Sequence, residues 1–327
     1  MAIEDEIPKS LLERARAAVA AGAVERTPIV PSGRGRTLLK AECLQATGSF
    51  KVRGPLVKFA ALPPREKMRG VVTASAGNHA LGVAHSARAH GVRATIVVPE
   101  GTPAVKLARV RTLGVEPLRH GDGYDAAEAR AREIARENGV PYLSPFDDLE
   151  IMAGNGGTLA LEILEDVPDL ARLVVPVGGG GLVSGCAAAI RHFGHAGVEI
   201  VGVQSEACPA MARSFERGAA FEAFPALEKT IAEGLEGGVS ERTYRFAREA
   251  LPGGIVLVPE RAIRRAIAWL DGRHGLRVEG SGAVTVAALL EGRLDPPPRR
   301  GTTVLVLTGG NVGDEVVAAC RSEEARP

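Results

Sequence analysis

Leu173-Val174-Val175-Pro176-Val177 runs without a break into Gly178-Gly179-Gly180-Gly181 and then into a helical stretch of small residues. An apolar run this short, dominated by valine, reads as a strand buried on both faces, and such strands belong to parallel sheets covered by helices. Four glycines at its end leave main-chain N–H groups bare of side chains and permit positive φ. The helix that follows adds free N-terminal donors, which favour a phosphate dianion. A tight turn that only lets a helix pack closely is the other account of the same residues. No GxGxxG fingerprint follows a strand, and no Gly-Lys-Ser/Thr follows these glycines. A phosphorylated group other than a nucleotide is therefore expected.

The same strand-then-helix rhythm recurs along the chain. Ser10 to Ala21 reads as a helix, Leu38 to Glu42 as a short strand, and Ser49 as the cap of a helix running through Val57 and Ala60, ended by Pro63-Pro64. Val71-Val72-Thr73 leads into a helix from Ala80 to Ala89. Ala94 to Val98 leads into Pro103 to Leu113, and Ala126 to Glu137 forms another helix. Strands follow at Val198 to Val203 and at Val304 to Leu307. The expected architecture is α/β, with mostly parallel sheets covered on both faces and ligands at the carboxyl ends of the strands. With 327 residues there is room for two lobes. Residues 67–148 are expected as a small lobe, and 1–66 with 149–327 as a large one.

Three further stretches carry groups suited to chemistry. Ser75-Ala76-Gly77-Asn78-His79 ends a strand, and its small residues expose amides suited to a carboxylate; a structural helix cap competes with that reading. Asn78 can donate to a phenolate-like oxygen, whereas nothing in the sequence makes His79 a catalytic base. Lys51, beside Phe50 in a Gly/Ser-bounded turn, can form a covalent link to an aldehyde if its amine is kept partly neutral. Thr308 ends the last strand before Gly309-Gly310-Asn311, and its hydroxyl can meet a ring nitrogen without supplying full charge.

Other functions find little support. Forty basic against 39 acidic residues give a net charge of +1, and the patch of Arg261, Arg264 and Arg265 is too small for a nucleic-acid surface. No apolar run reaches membrane-spanning length, and the acidic start is unlike a signal peptide, so a soluble cytoplasmic protein is expected. Cys43, Cys186, Cys208 and Cys320 are dispersed, and His79, His85 and His90 lack metal-ligand spacing, so no metal site is expected.

Taken together, the chain resembles the threonine/serine dehydratase and serine racemase family of pyridoxal phosphate enzymes. The likeness rests on Arg26-Thr27-Pro28, Gly48-Ser49-Phe50-Lys51-Val52-Arg53-Gly54, Ser75-Ala76-Gly77-Asn78-His79-Ala80, Gly178-Gly179-Gly180-Gly181-Leu182, Val278-Glu279-Gly280-Ser281-Gly282-Ala283 and Thr308-Gly309-Gly310-Asn311, in family order from near 24 to near 320. It implies the tryptophan synthase β-like fold, with two open α/β/α lobes, and pyridoxal 5'-phosphate as cofactor. It also implies that Lys51 bonds to the cofactor's aldehyde carbon and Phe50 packs on its ring. Asn78 then meets the ring oxygen, Gly178 to Gly181 the phosphate, and Thr308 the pyridine nitrogen. Ser75 and the amides from Ala76 to His79 receive the substrate carboxylate, which makes Lys51 and Ser75 the expected catalytic residues. The family is usually dimeric or tetrameric.

Departures from the family narrow the reaction. Ala76 stands where serine racemases place a second serine, which favours elimination over racemisation. The racemase metal ligands fall near Gln204 and Ala210, where no carboxylate remains. The family's Gly-Gln-Gly-Thr appears as Gly154-Asn155-Gly156-Gly157-Thr158, one residue longer, and Leu81 and Pro55 replace a common Gln and Ala. The expected reaction is loss of water and ammonia from a hydroxy-amino acid such as L-threonine or L-serine. A bulkier substrate such as β-phenylserine or 3-hydroxyaspartate, racemisation, β-replacement and a non-catalytic cofactor-binding protein are the alternatives.

Overall fold

The structure is a computed structural model describing residues 6–22 and 24–324. Its strands are β1 (Ile29–Pro31), β2 (Thr37–Lys40), β3 (Val71–Ala74), β4 (Ala94–Val98), β5 (Leu118–Arg119), β6 (Leu170–Pro176), β7 (Glu199–Ser205), β8 (Ile255–Val258) and β9 (Thr302–Val306). They form a six-stranded sheet in the order β1-β2-β9-β6-β7-β8 and a three-stranded sheet in the order β3-β4-β5. Every pairing between these strands is parallel except β1 with β2.

Strand periodicity explains how each sheet becomes the middle of three layers. Along β6 and β9, Leu173, Val175, Val304 and Val306 point to one core, shared with helices Lys9–Ala21, Thr158–Asp166 and Gly181–Phe193. Val174, Leu305 and the following Leu307 point to the other, shared with helices Glu260–His274 and Gly280–Leu290. The small sheet repeats the device. Val71, Ile96 and Val98 pack with Ala80, Ala84 and Leu107, while Val72, Ala74 and Val97 pack on Ala127, Ala131 and Ala135. Helix Arg53–Ala61 serves both lobes, for Leu56 and Val57 belong to the large core and Phe59 to the small one.

Local differences from the expected elements have physical causes. Pro63-Pro64 does end a helix, but Pro63 then opens a second short one, Pro64–Arg69, because a fixed φ is tolerated in a helix's first turn. The helix beginning after Ser49 starts as a 3-10 turn, Phe50–Val52, before continuing as Arg53–Ala61. The stretch before Thr158 forms a π turn, Ala153–Gly157, between helices Leu149–Met152 and Thr158–Asp166.

Candidate active site

The carboxyl ends of β3, β6 and β9 converge on one place, and Lys51 lies between them. Ser49 Oγ accepts the Lys51 N–H at 3.3 Å, and the Phe50 N–H donates to the Thr308 carbonyl at 3.0 Å. These bonds tie the lysine turn to the end of β9. From the other side Gly82, on helix Asn78–His90, lies against the Lys51 carbonyl so closely that any Cβ would collide with it. The amine donates to the Pro145 carbonyl at 2.7 Å and lies 5.3 Å from the centre of the Phe50 ring. Burial pushes its pKa down to about 8, while the negative charge of Glu279 pulls the other way. At pH 7 roughly a tenth of such an amine is unprotonated, which is what a nucleophilic lysine needs.

Gly178 to Gly181 stand beside it, and none of the four can carry a side chain cheaply. A Cβ would lie 3.3 Å from the Leu235 Cα at Gly178, 2.6 Å from the Phe146 ring at Gly179, and 2.5 Å from the Phe146 carbonyl oxygen at Gly181. Gly180 has φ of +92° and a Cβ there would meet the Met211 methyl at 2.7 Å. The ring of Phe146 therefore packs against the turn. Close packing accounts for part of the glycine requirement, as a plain tight turn would have it. The N–H groups of Gly178 to Gly181 have no protein acceptor among the described residues. With the start of helix Gly181–Phe193 they form a bare cluster of donors suited to a phosphate.

Asn78, the first residue of its helix, is joined to both lobes. Its Nδ2 donates to Glu279 Oε1 at 2.7 Å, and its Oδ1 accepts from Asn311 Nδ2 at 2.6 Å. Asn311 Nδ2 also donates to the Thr47 carbonyl at 3.0 Å, and its Oδ1 accepts from the Arg109 guanidinium. Burial pushes the Glu279 carboxyl up to about 7, opposed by the Asn78 amide, the Asn311 main chain and the charge of Arg109. Ser75 Oγ accepts the Gly77 N–H at 3.2 Å, so that amide is already engaged, while those of Ala76 and Asn78 have no acceptor among the described residues. Thr308 is buried at the end of β9. The His79 ring is buried, and burial, aided by the charge of Lys51 and opposed by the nearby Leu143 carbonyl, lowers its pKa to about 3. The ring is therefore neutral at neutral pH and a weak base.

Phe50, Lys51, Ser75, Asn78, Thr308 and the four glycines are thus brought to one site, and His79 lies buried behind it. Sequence reasoning assigns no role to Glu279, Asn311, Arg109 or Phe146. Glu279 and Asn311 sit in recognisable stretches, whereas Arg109, an ordinary basic residue in a helix's last turn, carries no signal at all. A large cavity lies elsewhere, at the amino ends of β3 and β4, lined by Arg69, Arg88, Arg93, Arg111 and Arg136. Arg69, Arg88, Arg111 and Arg136 sit in the last turns of their helices, where cations offset the helix dipole, so the cluster has a structural cause.

A half-buried lysine of lowered proton affinity beside a bare glycine turn, on two α/β lobes with mostly parallel sheets, defines a pyridoxal phosphate enzyme of the tryptophan synthase β-like fold. Residues 20–309 match the family described as "Pyridoxal-phosphate dependent enzyme", and the chain belongs to it, with pyridoxal 5'-phosphate as cofactor. It is 43% identical over 283 residues to L-threonine ammonia-lyase of Geobacter sulfurreducens, covering 85% of this chain and 68% of that protein. It is 39% identical over 280 residues to the catabolic L-threonine dehydratase TdcB of Escherichia coli K12, covering 85% and 84%. Among solved structures, maize serine racemase superposes with a TM-score of 0.88 at 28% identity over 96% of this chain and 97% of that one. The processed form of threonine deaminase isoform 2 from Solanum lycopersicum gives 0.86 at 28% identity over 98% and 95%.

Proposed function

We propose that this protein removes water and then ammonia from a hydroxy-amino acid such as L-threonine or L-serine, leaving a 2-oxo acid. The observation that carries this reading is the Lys51 amine, its pKa lowered to about 8, held between the bare donors of Gly178 to Gly181 and the Asn78–Glu279 pair. The names of the relatives in G. sulfurreducens and E. coli support the same reaction class.

When bound, pyridoxal phosphate withdraws electrons from the substrate's Cα and so acidifies its proton. Lys51 would take that proton, the β-hydroxyl would leave as hydroxide and take up a proton from solvent to become water, and the N–H groups of Gly178 to Gly181 would hold the cofactor phosphate. The free amides of Ala76 and Asn78, with the Ser75 hydroxyl, orient the substrate carboxylate. Asn78 Nδ2 has a second hydrogen that would serve the ring oxygen, and Thr308 and Phe50 would hold the ring nitrogen and the ring face. Threonine becomes 2-oxobutanoate and ammonium, with the water lost in the first step regained in the last. The lobe of residues 67–148 closes over the substrate, and the working form is a homodimer or homotetramer, which light scattering would measure.

A racemase is the second reading, favoured by the likeness to maize serine racemase. Against it, Ala76 has no hydroxyl to deliver a proton to the opposite face of Cα. The test is a product screen with L-threonine, L-serine, β-phenylserine and 3-hydroxyaspartate, with chiral analysis of recovered substrate. Lys51→Ala protein should release no ammonia above background, and full turnover by that variant would refute the reading. Rapid inversion with little 2-oxo acid would favour the racemase.

A further inference from the structure

Polarity along the hydrogen-bonded chain Arg109–Asn311–Asn78–Glu279 is set from one end. A guanidinium can only donate and a main-chain carbonyl can only accept. Arg109 therefore fixes which side of the Asn311 amide is oxygen, and the Thr47 carbonyl, 3.0 Å from Nδ2, fixes which side is nitrogen. The two anchors agree. The remaining Nδ2 hydrogen of Asn311 meets Asn78 at 2.6 Å and so requires Oδ1 of Asn78 to face it. That leaves Asn78 Nδ2 on the opposite side, toward Glu279 at 2.7 Å. Gly48, with φ of +75°, brings the chain so close to the Asn311 amide that no side chain fits between them, which locks the amide from its other face.

We infer that Asn311 is a positioning residue that fixes the rotation of the Asn78 amide, so that a donor rather than an acceptor is presented to the cofactor's ring oxygen. This rests on the proposed placement of Asn78 at that oxygen. An amide turned the other way would set Oδ1 against the ring oxygen and, above the Glu279 pKa of about 7, against its carboxylate, and those contacts would be repulsive. Arg109 comes from helix Ala104–Arg111 of the small sheet's lobe, while Asn311 and Glu279 belong to the large one. The orientation of Asn78 therefore also depends on how the two lobes meet.

Asn311→Asp separates orientation from simple attachment. The aspartate keeps its size and gains an ion pair with Arg109, but it offers Asn78 an acceptor where a donor stood, so the Asn78 amide rotates. Cofactor affinity, measured by equilibrium dialysis of the apoprotein with pyridoxal phosphate, should fall at least tenfold. The pH midpoint of the holoenzyme's visible absorbance band should move by about one unit. Asn311→Ala, which leaves a void rather than a reversed dipole, covers the case in which the aspartate variant does not fold, and should weaken the cofactor by threefold or more. Arg109→Met removes the lobe contact but leaves the Thr47 anchor, so its effect should be smaller than either. Wild-type affinity and an unmoved band in a folded Asn311 variant would overturn the inference. Asn78→Asp tells the two readings apart. If it shifts affinity and spectrum while the Asn311 variants do not, only the orienting role is lost; if it too changes nothing, the placement of Asn78 fails with it.

Discussion

Lys51 is an ordinary cation held where a positive charge is costly, and that cost has a measurable pH dependence. Its folded pKa of about 8 lies below the usual 10.5. Below pH 8 the folded and unfolded chains both carry the proton and the penalty is fully present. Between 8 and 10.5 the unfolded chain binds more protons, so stability rises with pH across that window. The full difference is at most about 3 kcal/mol. In apoprotein, Lys51→Met should therefore be more stable than wild type at pH 7, with the gain shrinking toward pH 10.5, as thermal melts at a series of pH values would show. Glu279 works in the opposite sense. Its pKa is raised from 4.5 to about 7, so the protonated form is favoured on folding and stability falls as pH rises between those values. Glu279→Gln should remove that fall, and an unchanged slope in acid-range melts would show that the carboxyl is not buried. Lys51 could be singled out from sequence because it lies in a Gly/Ser-bounded turn of a recognisable stretch. Glu279 could not be given a role, because flanking Val278 and Gly280 describe a helix start and say nothing about the amide that meets it from residue 78.

Elements were more legible than the contacts between them. Val and Leu runs ending in glycine placed β6 and β9 within a few residues, because residues 173–176 and 304–306, buried on both faces, are wholly apolar. The 3-10 start after Ser49 and the π turn at Ala153–Gly157 were not legible as such. Both are decided by what packs on them. Asn155, inside the π turn, accepts the Gly54 N–H at 2.8 Å, and Gly156 crosses helix Gly181–Phe193 at Gly185. A Cβ on Gly156 would collide with the Leu182 carbonyl and lie 2.7 Å from the Cys186 nitrogen. The obstacles are main chain, so neither side can move without displacing a helix. Gly156→Ala should cost about 3 kcal/mol by this overpacking. Because the helix it pushes begins with the glycine turn, pyridoxal phosphate affinity should fall along with the thermal midpoint. A variant that melts lower yet binds the cofactor as tightly as wild type would show that the π turn does not support the cradle.

At the scale of the whole molecule, the site exists because two sheets meet with their carboxyl ends facing, and ion pairs of two very different kinds hold that arrangement. Sequence pattern alone shows alternating strands and helices. It does not show that β9, last in the chain, lies between β2 and β6, which is what brings Thr308 to Phe50. A buried cluster ties the end of β2 and the helix after the lysine turn to helix Thr158–Asp166. Arg53 makes two 2.8 Å bonds to Glu42 and two, of 2.7 and 3.0 Å, to Glu162, which also accepts from Lys40 at 2.7 Å. Arg53, Glu42 and Lys40 are fully enclosed. Across the lobes, by contrast, Lys106 meets Glu233 at 2.8 Å with side chains 42% and 68% exposed. Water and salt screen the second pair, so Lys106→Ala should change stability by less than about 1 kcal/mol. Glu162→Gln leaves Lys40 without a carboxylate and Arg53 with only one, both out of water, and should cost about 3–5 kcal/mol. Arg53 is two residues from Lys51 in the same turn of chain, so the loss should extend to cofactor binding. Urea midpoints of the two variants, with pyridoxal phosphate uptake measured beside them, decide the matter. Equal destabilisation by both would mean that the lobe contact, and not the enclosed cluster, sets where the lysine stands.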